Sequence, residues 1–565
     1  MIGQSFTYPF NLQFSKLFTL VFDRSLHHVK ASIMKNMLSH RIPTFIILLL
    51  ASFLWVGEYV RRDLWEPDEA RFALVAKEMR EGHWLVPYRQ GEFYSHKPPL
   101  MFWLTNVFSL VTGGEIGTVA PRLPSLLGAL LALWAASRLA SRWFSHRAGW
   151  LTVLLLASSF MFWNKGGFGQ IDMLLCGLQM MALYGLFTAA DDPGRGRLAL
   201  AYGFMGLAVL AKGPVGFLVP WLVYLAAVFL SGEQTRHSRR HLIWGPVVTL
   251  AFPAVWLALA WWQGAPEGFF PELLWKQNVG RVTGEFGGHV KPFYYFFYHF
   301  PLDFLPWSLL LPLSYHVLKR SPEYDGGRRR LVVWIVMVIV FFSFSSSKRN
   351  LYILLAYPAA AMLVAAAADH WARADERWLR VGYRLVAGLM ALLGVGMLVG
   401  AFVPAFPADG RVLIPGGLAL VAGSWVAWGF YRQNARDARW LVALSTCVLV
   451  TFASVGALVY PAFNDLKTPN EIVTEAQTLL APDERIIMYK MHGEIFSLYT
   501  DRKGYMAFTD EEAQAFMQTS DQPNHMIIAL ERDLPAIRVW LTRPHRVVSF
   551  TSGSKKLVAL VVSAN

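Results

Sequence analysis

The sequence of 565 residues has little charge and almost no cysteine. Asp, Glu, Lys and Arg together make up 16% of the residues, whereas hydrophobic residues make up 55%. This balance excludes an ordinary soluble protein and is typical of a protein that lies in a bilayer. The two cysteines, Cys176 and Cys447, both lie in apolar runs, so we expect them to pack there rather than to form a disulfide or a metal site.

Several sequence signals are absent, and each absence excludes a class of protein. No glycine-rich nucleotide-binding motif is present, so no nucleotide site is predicted. No basic stripe with interleaved aromatic residues occurs outside the apolar region, which argues against nucleic acid as a partner. The first strong apolar run, 42–56, lacks a small-residue cleavage site, so we expect no cleavable signal peptide.

Long apolar runs are abundant. Runs of roughly 20 residues recur from Ile42 to Tyr460, and each is long enough to cross ~30 Å of hydrocarbon as a helix. Their continuity excludes the alternation of a β-barrel, so the sequence predicts a polytopic α-helical membrane protein. The fourteen apolar segments are 42–60, 99–112, 121–140, 149–166, 172–190, 198–211, 214–231, 242–262, 301–318, 331–346, 350–367, 383–404, 412–430 and 440–461.

The distribution of Lys and Arg predicts how these segments cross the bilayer. The formal net charge is +14, and most basic residues lie in alternate short loops, as the positive-inside rule requires of cytoplasmic loops. This partition holds only if segment 99–112, which is short for a crossing, lies along the interface. We therefore expect about 13 transmembrane helices, with 1–41 as a cytoplasmic N-terminal segment and 42–461 as the membrane domain.

This topology places three stretches outside the cytoplasm: the loops 61–120 and 263–300, and the C-terminal region 462–565. The C-terminal region alternates strand and helix patterns and is long enough for its own core, so we expect a small α/β domain. Helices are predicted over 470–480, 510–518 and 533–541, and strands over 485–490, 495–499, 525–530, 547–551 and 556–562.

The first outer loop carries the most informative motif. Pro67, followed by Asp68 and Glu69, marks the start of a helix, where acids interact favourably with the helix dipole. Capping accounts for one acid but not for a cluster of acids with Arg71 just outside a bilayer, so we expect a functional role for Asp68. The pattern also predicts a short amphipathic helix at the interface. Its apolar face contains Phe72, Val75, Ala76 and Met79.

Other charged groups lie at the same outer level. Lys97 either snorkels to the headgroup region or binds a phosphate, and Asp172 is an ionisable residue at a membrane edge. A reaction with an anionic leaving group needs such a set, because cations stabilise the departing phosphate and a carboxylate positions or deprotonates the attacking group. Further charged groups at this level are Lys212, Lys276, Arg281, Lys348 and Arg349, with Tyr352 beside them.

A metal site has little support in the sequence. His96 and His289 are the candidate ligands, but they lie in different loops and their spacing fits no metal-binding motif. We expect no required cofactor. A bound divalent ion such as zinc would be structural rather than catalytic.

Several motifs, in their order along the chain, resemble the dolichyl-phosphate-mannose-mannosyltransferase-like superfamily, which has the GT-C fold. They are Glu66-Pro67-Asp68-Glu69-Ala70-Arg71-Phe72-Ala73, Lys97-Pro98-Pro99, Ile171-Asp172-Met173-Leu174, Leu210-Ala211-Lys212-Gly213-Pro214, Leu305-Pro306-Trp307 and the run from Phe344 to Tyr352. Within the superfamily, the sequence is most similar to the 4-amino-4-deoxy-L-arabinose (aminoarabinose) lipid A transferases of Gram-negative bacteria. The resemblance covers residues 42–460, and the C-terminal domain matches only in length and location.

The resemblance implies a donor, an acceptor and a set of site residues. The donor would be undecaprenyl phosphate carrying aminoarabinose and the acceptor a lipid A phosphate, with inverting transfer at the periplasmic face of the inner membrane and polymyxin resistance as the outcome. The family's two acids correspond to Asp68 and Asp172. The groups that hold the carrier phosphate correspond to Arg71, Lys97, Arg281 and Tyr352, and further candidates are Glu69, Lys212, Lys348 and Arg349. The family needs no nucleotide-sugar and no obligatory metal, and we expect a monomer.

Two alternatives stay open at this point. A related enzyme that moves another lipid-phosphate sugar to lipid A core, polysaccharide or protein would carry the same motifs. A transporter or flippase for a lipid-linked substrate belongs to a different class. The sequence argues against it, because no inverted repeat is present and the charged residues gather at one membrane face rather than at the midplane.

Overall fold

The computed structural model describes residues 42–191, 194–230, 240–277, 280, 290–371, 374–404, 406–553 and 555–563. The predicted site residues Arg281 and His289, and the predicted N-terminal segment 1–41, lie outside the described residues. The longer helices are Ile42–Arg61, Asp68–Met79, Leu100–Ser109, Leu123–Trp143, His146–Ala157, Phe160–Gly167, Ile171–Asp191, Arg195–Lys212, Val215–Leu230, His241–Trp262, Tyr295–Asp303, Leu311–Lys319, Asp325–Ser343, Ala356–Ala368, Glu376–Gly400, Ile414–Gln433 and Arg439–Ser454.

Each predicted apolar segment coincides with a helix or with a helix that is interrupted. Segment 149–166 is interrupted at Ser158 and Ser159, whose hydroxyls donate to backbone carbonyls of the preceding turn and so compete with the helical pattern. Among the described residues, seven helical stretches are long and apolar enough to cross a bilayer. The expected number of about 13 spans stays a prediction. The seven stretches are Thr44–Arg61, Ala120–Trp143, Ile171–Ala190, His241–Trp262, Glu376–Gly400, Gly410–Gln433 and Arg439–Lys467.

Small residues let the central helices approach closely. A Cβ atom on Gly128 would lie 2.3 Å from the carbonyl oxygen of Met173, and one on Gly177 would lie 2.2 Å from that of Gly128. Helices Leu123–Trp143 and Ile171–Asp191 therefore pack backbone to backbone, as membrane helices with small residues at the interface do. This contact fixes the start of Ile171–Asp191, which carries Asp172.

The first outer loop folds into two short helices that pack against each other. Helix Asp68–Met79 buries ten of its 12 residues, and its predicted apolar face packs with residues of Leu100–Ser109. Leu100–Ser109 has 10 residues and is about 15 Å long, too short to cross the hydrocarbon core. On its other side, Ala70 packs into the core of the C-terminal domain. The amphipathic helix is thus covered on both sides.

The C-terminal region forms the predicted α/β domain around a five-stranded sheet. A small hairpin in the first outer loop supplies β1 (Tyr88–Arg89) and β2 (Glu92–Phe93). The strands of the large sheet are β3 (Ile486–Tyr489), β4 (Gly504–Ala507), β5 (His525–Leu530), β6 (His545–Ser552) and β7 (Lys555–Val562), and the helices of the domain are Asn470–Leu479, Glu494–Thr500, Asp510–Thr519 and Leu534–Trp540. The strand order is β4-β3-β5-β7-β6. Strands β3, β4 and β5 are parallel, whereas β7 runs antiparallel to β5 and β6.

One predicted strand is wrong. Residues 495–499 belong to helix Glu494–Thr500, although their aromatic and β-branched side chains favour a strand. Ile495 and Phe496 are fully buried, and the helix packs against helix Asp68–Met79. Tertiary packing therefore overrides local propensity here. The edge strand β4, which sequence patterns did not predict, follows this helix.

Candidate active site

A cavity of about 870 Å³ lies where one end of the membrane helices meets the C-terminal domain. Seven cationic and five acidic side chains of the described residues line it, which suits an anionic ligand. The predicted site residues in its wall are Asp68, Arg71, His96, Lys97, Asp172, Lys212, Arg349 and Tyr352. The structure thus brings together residues from five separate parts of the sequence.

Asp68 lies between two guanidinium groups in the cavity wall. Its Oδ1 accepts a hydrogen bond from Arg71 over 2.9 Å, and its Oδ2 accepts one from Arg349 over 2.9 Å and another from Gln170 over 3.2 Å. Pro67 precedes helix Asp68–Met79, so Asp68 and Arg71 lie one turn apart on the same face. Arg349 comes from the loop that follows helix Asp325–Ser343.

The charge state of Asp68 follows from these contacts. Burial alone would raise the pKa of Asp68, but the positive charges of Arg349 and Arg71 outweigh burial and lower it below the ordinary value. Lys97 adds to the same effect. Asp68 is therefore an ionised carboxylate at neutral pH and is held in place by its hydrogen bonds. In this state it can stabilise a nearby positive charge, but it has no proton to donate.

Asp172 forms a second charged pair in the cavity. It begins helix Ile171–Asp191, whereas Lys212 ends the next helix, Arg195–Lys212, so the antiparallel pair brings both to the same level. The Lys212 ammonium donates to Asp172, and both side chains are nearly buried. The same ammonium lies 4.5 Å from the centre of the Tyr352 ring, a cation–π contact.

His96 and Lys97 line the cavity from the first outer loop. The His96 ring lies 5.0 Å from the ring of Tyr94, which also lines the cavity. Lys97 contributes positive potential at Asp68. The positive charge of Lys97 would therefore attract a phosphate that binds next to Asp68.

Glu69 lies behind the cavity wall rather than in it. Its carboxylate accepts hydrogen bonds from Arg122 over 2.7 Å and from Arg62 over 3.1 Å, and from the backbone N–H groups of Gly169 and Trp65. Burial would raise the pKa of Glu69, but Arg122 and Arg62 lower it to about 2. This geometry ties the first outer loop to the membrane helices, which is a structural task.

Lys348 also lies outside the cavity lining. Its ammonium donates to the backbone carbonyls of Lys291, over 3.0 Å, and of Ser345. Only 4% of Lys348 is exposed. These contacts hold the loop that presents Arg349 to Asp68, so the side chain next in sequence, rather than Lys348, reaches the cavity.

The C-terminal domain contributes a wall of the cavity that sequence patterns did not predict. Its lining residues include Lys490, His492, Glu494 and Lys555. Lys555 forms an ion pair with Glu66 over 3.1 Å across the cavity edge. The available signal was positional: Lys490 is the last residue of the predicted strand 485–490, and ligands frequently bind at the carboxyl ends of parallel strands. The sequence did not indicate which face of the C-terminal domain contacts the membrane region.

The described part of the chain contains no further candidate for a metal site. No group of three or more His, Cys, Asp or Glu side chains there could hold a metal ion. His289, one of the two predicted ligands, lies outside the described residues. Of the two, only His96 is placed, and it lies in the cavity wall.

The arrangement suits a reaction in which a phosphate leaves with negative charge. An ionised carboxylate is fixed between cations at the level where membrane helices end, and further cations surround it. Cations stabilise a phosphate that departs with negative charge, and a fixed carboxylate stabilises positive charge that develops at an electrophilic carbon.

Comparisons with known proteins agree with this chemistry. Residues 96–261 match the family model described as dolichyl-phosphate-mannose-protein mannosyltransferase. The undecaprenyl phosphate-alpha-4-amino-4-deoxy-L-arabinose arabinosyl transferase of Shewanella sediminis is 26% identical over 473 residues, which cover 82% of this chain and 84% of that protein. The enzyme of the same name from Edwardsiella ictaluri is 28% identical, and there the match spans 49% of the relative.

Solved structures show the same architecture. ArnT from Cupriavidus metallidurans, in a crystal structure bound to undecaprenyl phosphate, superposes with a TM-score of 0.77 at 22% identity, covering 91% of this chain and 97% of that chain. The archaeal oligosaccharyltransferase AglB from Archaeoglobus fulgidus superposes with a TM-score of 0.51 at 13% identity, covering 88% of this chain and 71% of that chain. These superpositions confirm the predicted GT-C fold class with its C-terminal α/β domain.

The family resemblance seen in the sequence is confirmed by these matches, and with it the prediction of a glycosyltransferase. The apolar helices and the similarity to ArnT also make the chain a multi-pass membrane protein. The protein is therefore a membrane glycosyltransferase with the GT-C fold, similar to the undecaprenyl phosphate-aminoarabinose arabinosyl transferases.

Proposed function

We propose that this protein transfers 4-amino-4-deoxy-L-arabinose from undecaprenyl phosphate to a phosphate of lipid A. The relatives that are similar over most of their length carry the name of an arabinosyl transferase that uses this donor. The transfer takes place at the periplasmic face of the inner membrane, where the charged cavity and the C-terminal domain lie. It makes the cell surface less negative and thereby protects against polymyxin and other cationic peptides.

The observation that carries the proposal is the position of Asp68. Its carboxylate is held by Arg71 and Arg349 in a cavity at the end of the membrane helices, and Lys97 is close enough to affect its charge. A carrier phosphate at headgroup depth meets these cations while its prenyl chain stays in the bilayer. The sugar attached to that phosphate then lies beside the carboxylate.

The reaction is a single displacement at the anomeric carbon. An oxygen of the acceptor phosphate attacks this carbon, the bond from the carbon to the carrier phosphate breaks, and the electron pair leaves with the carrier phosphate. A phosphate monoester carries about −1.5 to −2 charge at neutral pH, so no proton has to be removed from it. Asp68 accordingly stabilises positive charge at the anomeric carbon, whereas Arg71 and Lys97 stabilise the leaving phosphate.

Mass spectrometry of lipid A tests the proposal in cells. The gene is expressed in a polymyxin-sensitive strain that makes the aminoarabinose carrier but lacks its own transferase. We expect lipid A to gain the mass of aminoarabinose with the wild-type gene and not with Asp68→Asn, at equal amounts of protein in the membrane. Unmodified lipid A with the wild-type gene would contradict the proposal.

A modified product with a different mass would favour the alternative function. In that case the enzyme moves another lipid-phosphate sugar, and the acceptor is lipid A core, polysaccharide or protein. The cavity geometry serves either donor, because carrier phosphate and anomeric carbon are common to both.

A further inference from the structure

The carboxyl ends of strands β3 and β5 of the C-terminal domain face the cavity. In the order β4-β3-β5-β7-β6, the chain leaves β3 towards β4 on one side, and after β5 it continues to β6 on the other side. The carboxyl ends of β3 and β5 therefore diverge at a topological switch point, which is where open α/β sheets bind ligands. The segment from Lys490 to Glu494, directly after β3, and Leu530, the last residue of β5, both line the cavity.

Three side chains at this edge can bind a phosphate. Lys490 follows β3 directly, and its ammonium forms an ion pair with Asp510 over 3.3 Å that a bound phosphate would replace. His492 lies two residues further on. Lys555 begins β7, which pairs antiparallel with β5 so that Leu530 faces Leu557, and this register brings Lys555 to the same edge. The Nδ1 of His492 lies 3.4 Å from the Arg89 guanidinium and 3.2 Å from the sulfur of Met506. The other ring nitrogen, Nε2, can donate to an anion when it carries a proton.

The loop that carries Lys490 and His492 is held in an unusual conformation. Lys490 has φ of 53°, a left-handed conformation that is uncommon for a residue with a side chain, and Gly493 has φ of 60°. A Cβ atom on Gly493 would lie 2.6 Å from the sulfur of Met488. Such conformations persist where the surroundings fix them, and they cluster at ligand-binding sites.

The first outer loop fixes this conformation from outside the domain. Gln90 donates to the backbone carbonyl of His492 over 2.7 Å and to the hydroxyl of Ser497 over 3.1 Å. Arg89 forms a buried ion pair with Glu494 over 3.2 Å. The loop is thereby fixed relative to helix Asp68–Met79 and so relative to Asp68.

The two substrates differ in how far their phosphates stand from the bilayer. The carrier phosphate is attached directly to a prenyl chain and stays at the depth where the helices end, close to Lys97 and Arg349. The acceptor phosphate is attached to a sugar headgroup, which projects beyond the acyl chains towards the C-terminal domain. A transfer between them needs separate cations for each phosphate, on opposite sides of Asp68.

We propose that Lys490, His492 and Lys555 of the C-terminal domain bind the acceptor phosphate and hold it for attack on the anomeric carbon. This assignment rests on the proposed function and adds the residues that recognise its acceptor. The domain is then part of the active site rather than an accessory that covers it.

Kinetics with purified protein test the assignment. Initial rates are measured by mass spectrometry with undecaprenyl phosphate-linked aminoarabinose and lipid A, varying each substrate while the other saturates. We expect Lys490→Gln and Lys555→Gln each to raise the KM for lipid A about tenfold, since each loses a charge-assisted hydrogen bond. The KM for the donor should stay within about twofold of the wild-type value, because the donor cations are unchanged.

The matched control is Lys556→Gln, which removes the neighbouring exposed lysine that does not line the cavity and should leave both KM values unchanged. Lys490→Arg and Lys555→Arg keep the charge and should keep the KM for lipid A within about threefold of wild type. An unchanged KM for lipid A in both glutamine variants, or an equal rise in donor KM, would overturn the assignment while the wild-type transfer upholds the proposed function. Failure of the wild-type protein to modify lipid A would instead overturn the proposed function itself.

Discussion

Asp68 and Arg349 are 281 residues apart in the sequence, yet the Arg349 Nη2 donates to the Asp68 Oδ2 over 2.9 Å. With Arg71 on the other carboxylate oxygen, the pair holds Asp68 ionised in a largely buried position. The carboxylate that we propose to act on the sugar is thus positioned by a loop that is distant from it in the sequence, between helices Asp325–Ser343 and Ala356–Ala368. Its function should depend on that loop as strongly as on its own helix.

Replacing Arg349 by glutamine should change the pH dependence of the reaction. Arg349 lowers the pKa of Asp68, so wild-type Asp68 stays ionised at pH values below the ordinary pKa of an aspartate. In the Arg349→Gln variant, burial still raises the pKa of Asp68, but the positive charge that lowers it most is gone. The pKa of Asp68 should therefore be higher than in wild type. The acidic limb of the kcat profile should therefore move to higher pH, and kcat at neutral pH should fall. A kcat profile between pH 4 and 8 measures the shift.

Arg411→Gln is the matched control for that profile. Arg411 pairs with Asp409 on an exposed loop and does not line the cavity. Its removal should leave the profile unchanged. An acidic limb at the same pH in Arg349→Gln and wild type would show that Arg349 does not set the charge state of Asp68.

Replacing Asp68 by asparagine should abolish most of the activity but little of the fold. Asparagine keeps the size of the side chain and loses its charge, which the transition state needs. We expect kcat to fall by about a hundredfold to ten-thousandfold. Thermal unfolding in detergent should show a folded protein, which separates loss of chemistry from loss of structure. Turnover near the wild-type value would remove Asp68 from the mechanism.

Replacing the neighbouring acid, Glu69, should have the opposite signature. Glu69→Gln leaves the buried guanidinium of Arg122 without its counter-charge and leaves Arg62 paired with Glu58 alone, which costs about 3–5 kcal/mol. We expect a markedly lower unfolding temperature, whereas Glu92→Gln on the exposed hairpin should behave like wild type. Equal unfolding temperatures for the two variants would contradict the structural role.

The same cluster predicts how stability depends on pH. The pKa of Glu69 is about 2 in the folded protein, below its ordinary value of 4.5. A lowered pKa stabilises the fold above the ordinary value, and this stabilisation is lost as the pH falls towards the folded value. The unfolding temperature of wild type should therefore fall more between about pH 4.5 and pH 2 than that of Glu69→Gln. Parallel pH dependences would contradict this account.

The pair of Asp172 and Lys212 should behave as a unit. Both side chains are nearly buried in the cavity wall, so removing one partner leaves the other charge without its counter-ion. Asp172→Asn and Lys212→Met should each lower the unfolding temperature, and the double variant should be more stable than either single variant. Additive losses in this double-mutant cycle would show that the two groups do not depend on each other.

Sequence patterns predicted eight of the residues that line the cavity, with Asp68 as the expected functional acid and Glu69 as a further candidate. Both acids lie in the first turn of one helix, and consecutive helical residues point about 100° apart. Asp68 therefore faces the cavity, whereas Glu69 faces Arg122. The direction of each depends on how the helix packs, which only the folded chain defines.

The cavity wall that the C-terminal domain contributes could not be predicted from the sequence, for a similar reason. Local patterns predicted most elements of the domain, but not which of its faces contacts the membrane region. Helix Glu494–Thr500 illustrates the limit: its residues favour a strand, and contact with helix Asp68–Met79 makes them helical. Lys490 and Lys555 reach the cavity through that same docking, which depends on contacts hundreds of residues apart.

The most direct test of the whole account uses purified protein with undecaprenyl phosphate-linked aminoarabinose and lipid A. Mass spectrometry follows the lipid A product for wild type, Asp68→Asn and Arg411→Gln. The account predicts a gain of one aminoarabinose mass with wild type and Arg411→Gln, and none with Asp68→Asn although that variant is folded. Transfer by Asp68→Asn at the wild-type rate, or no transfer by the wild-type protein, would contradict it.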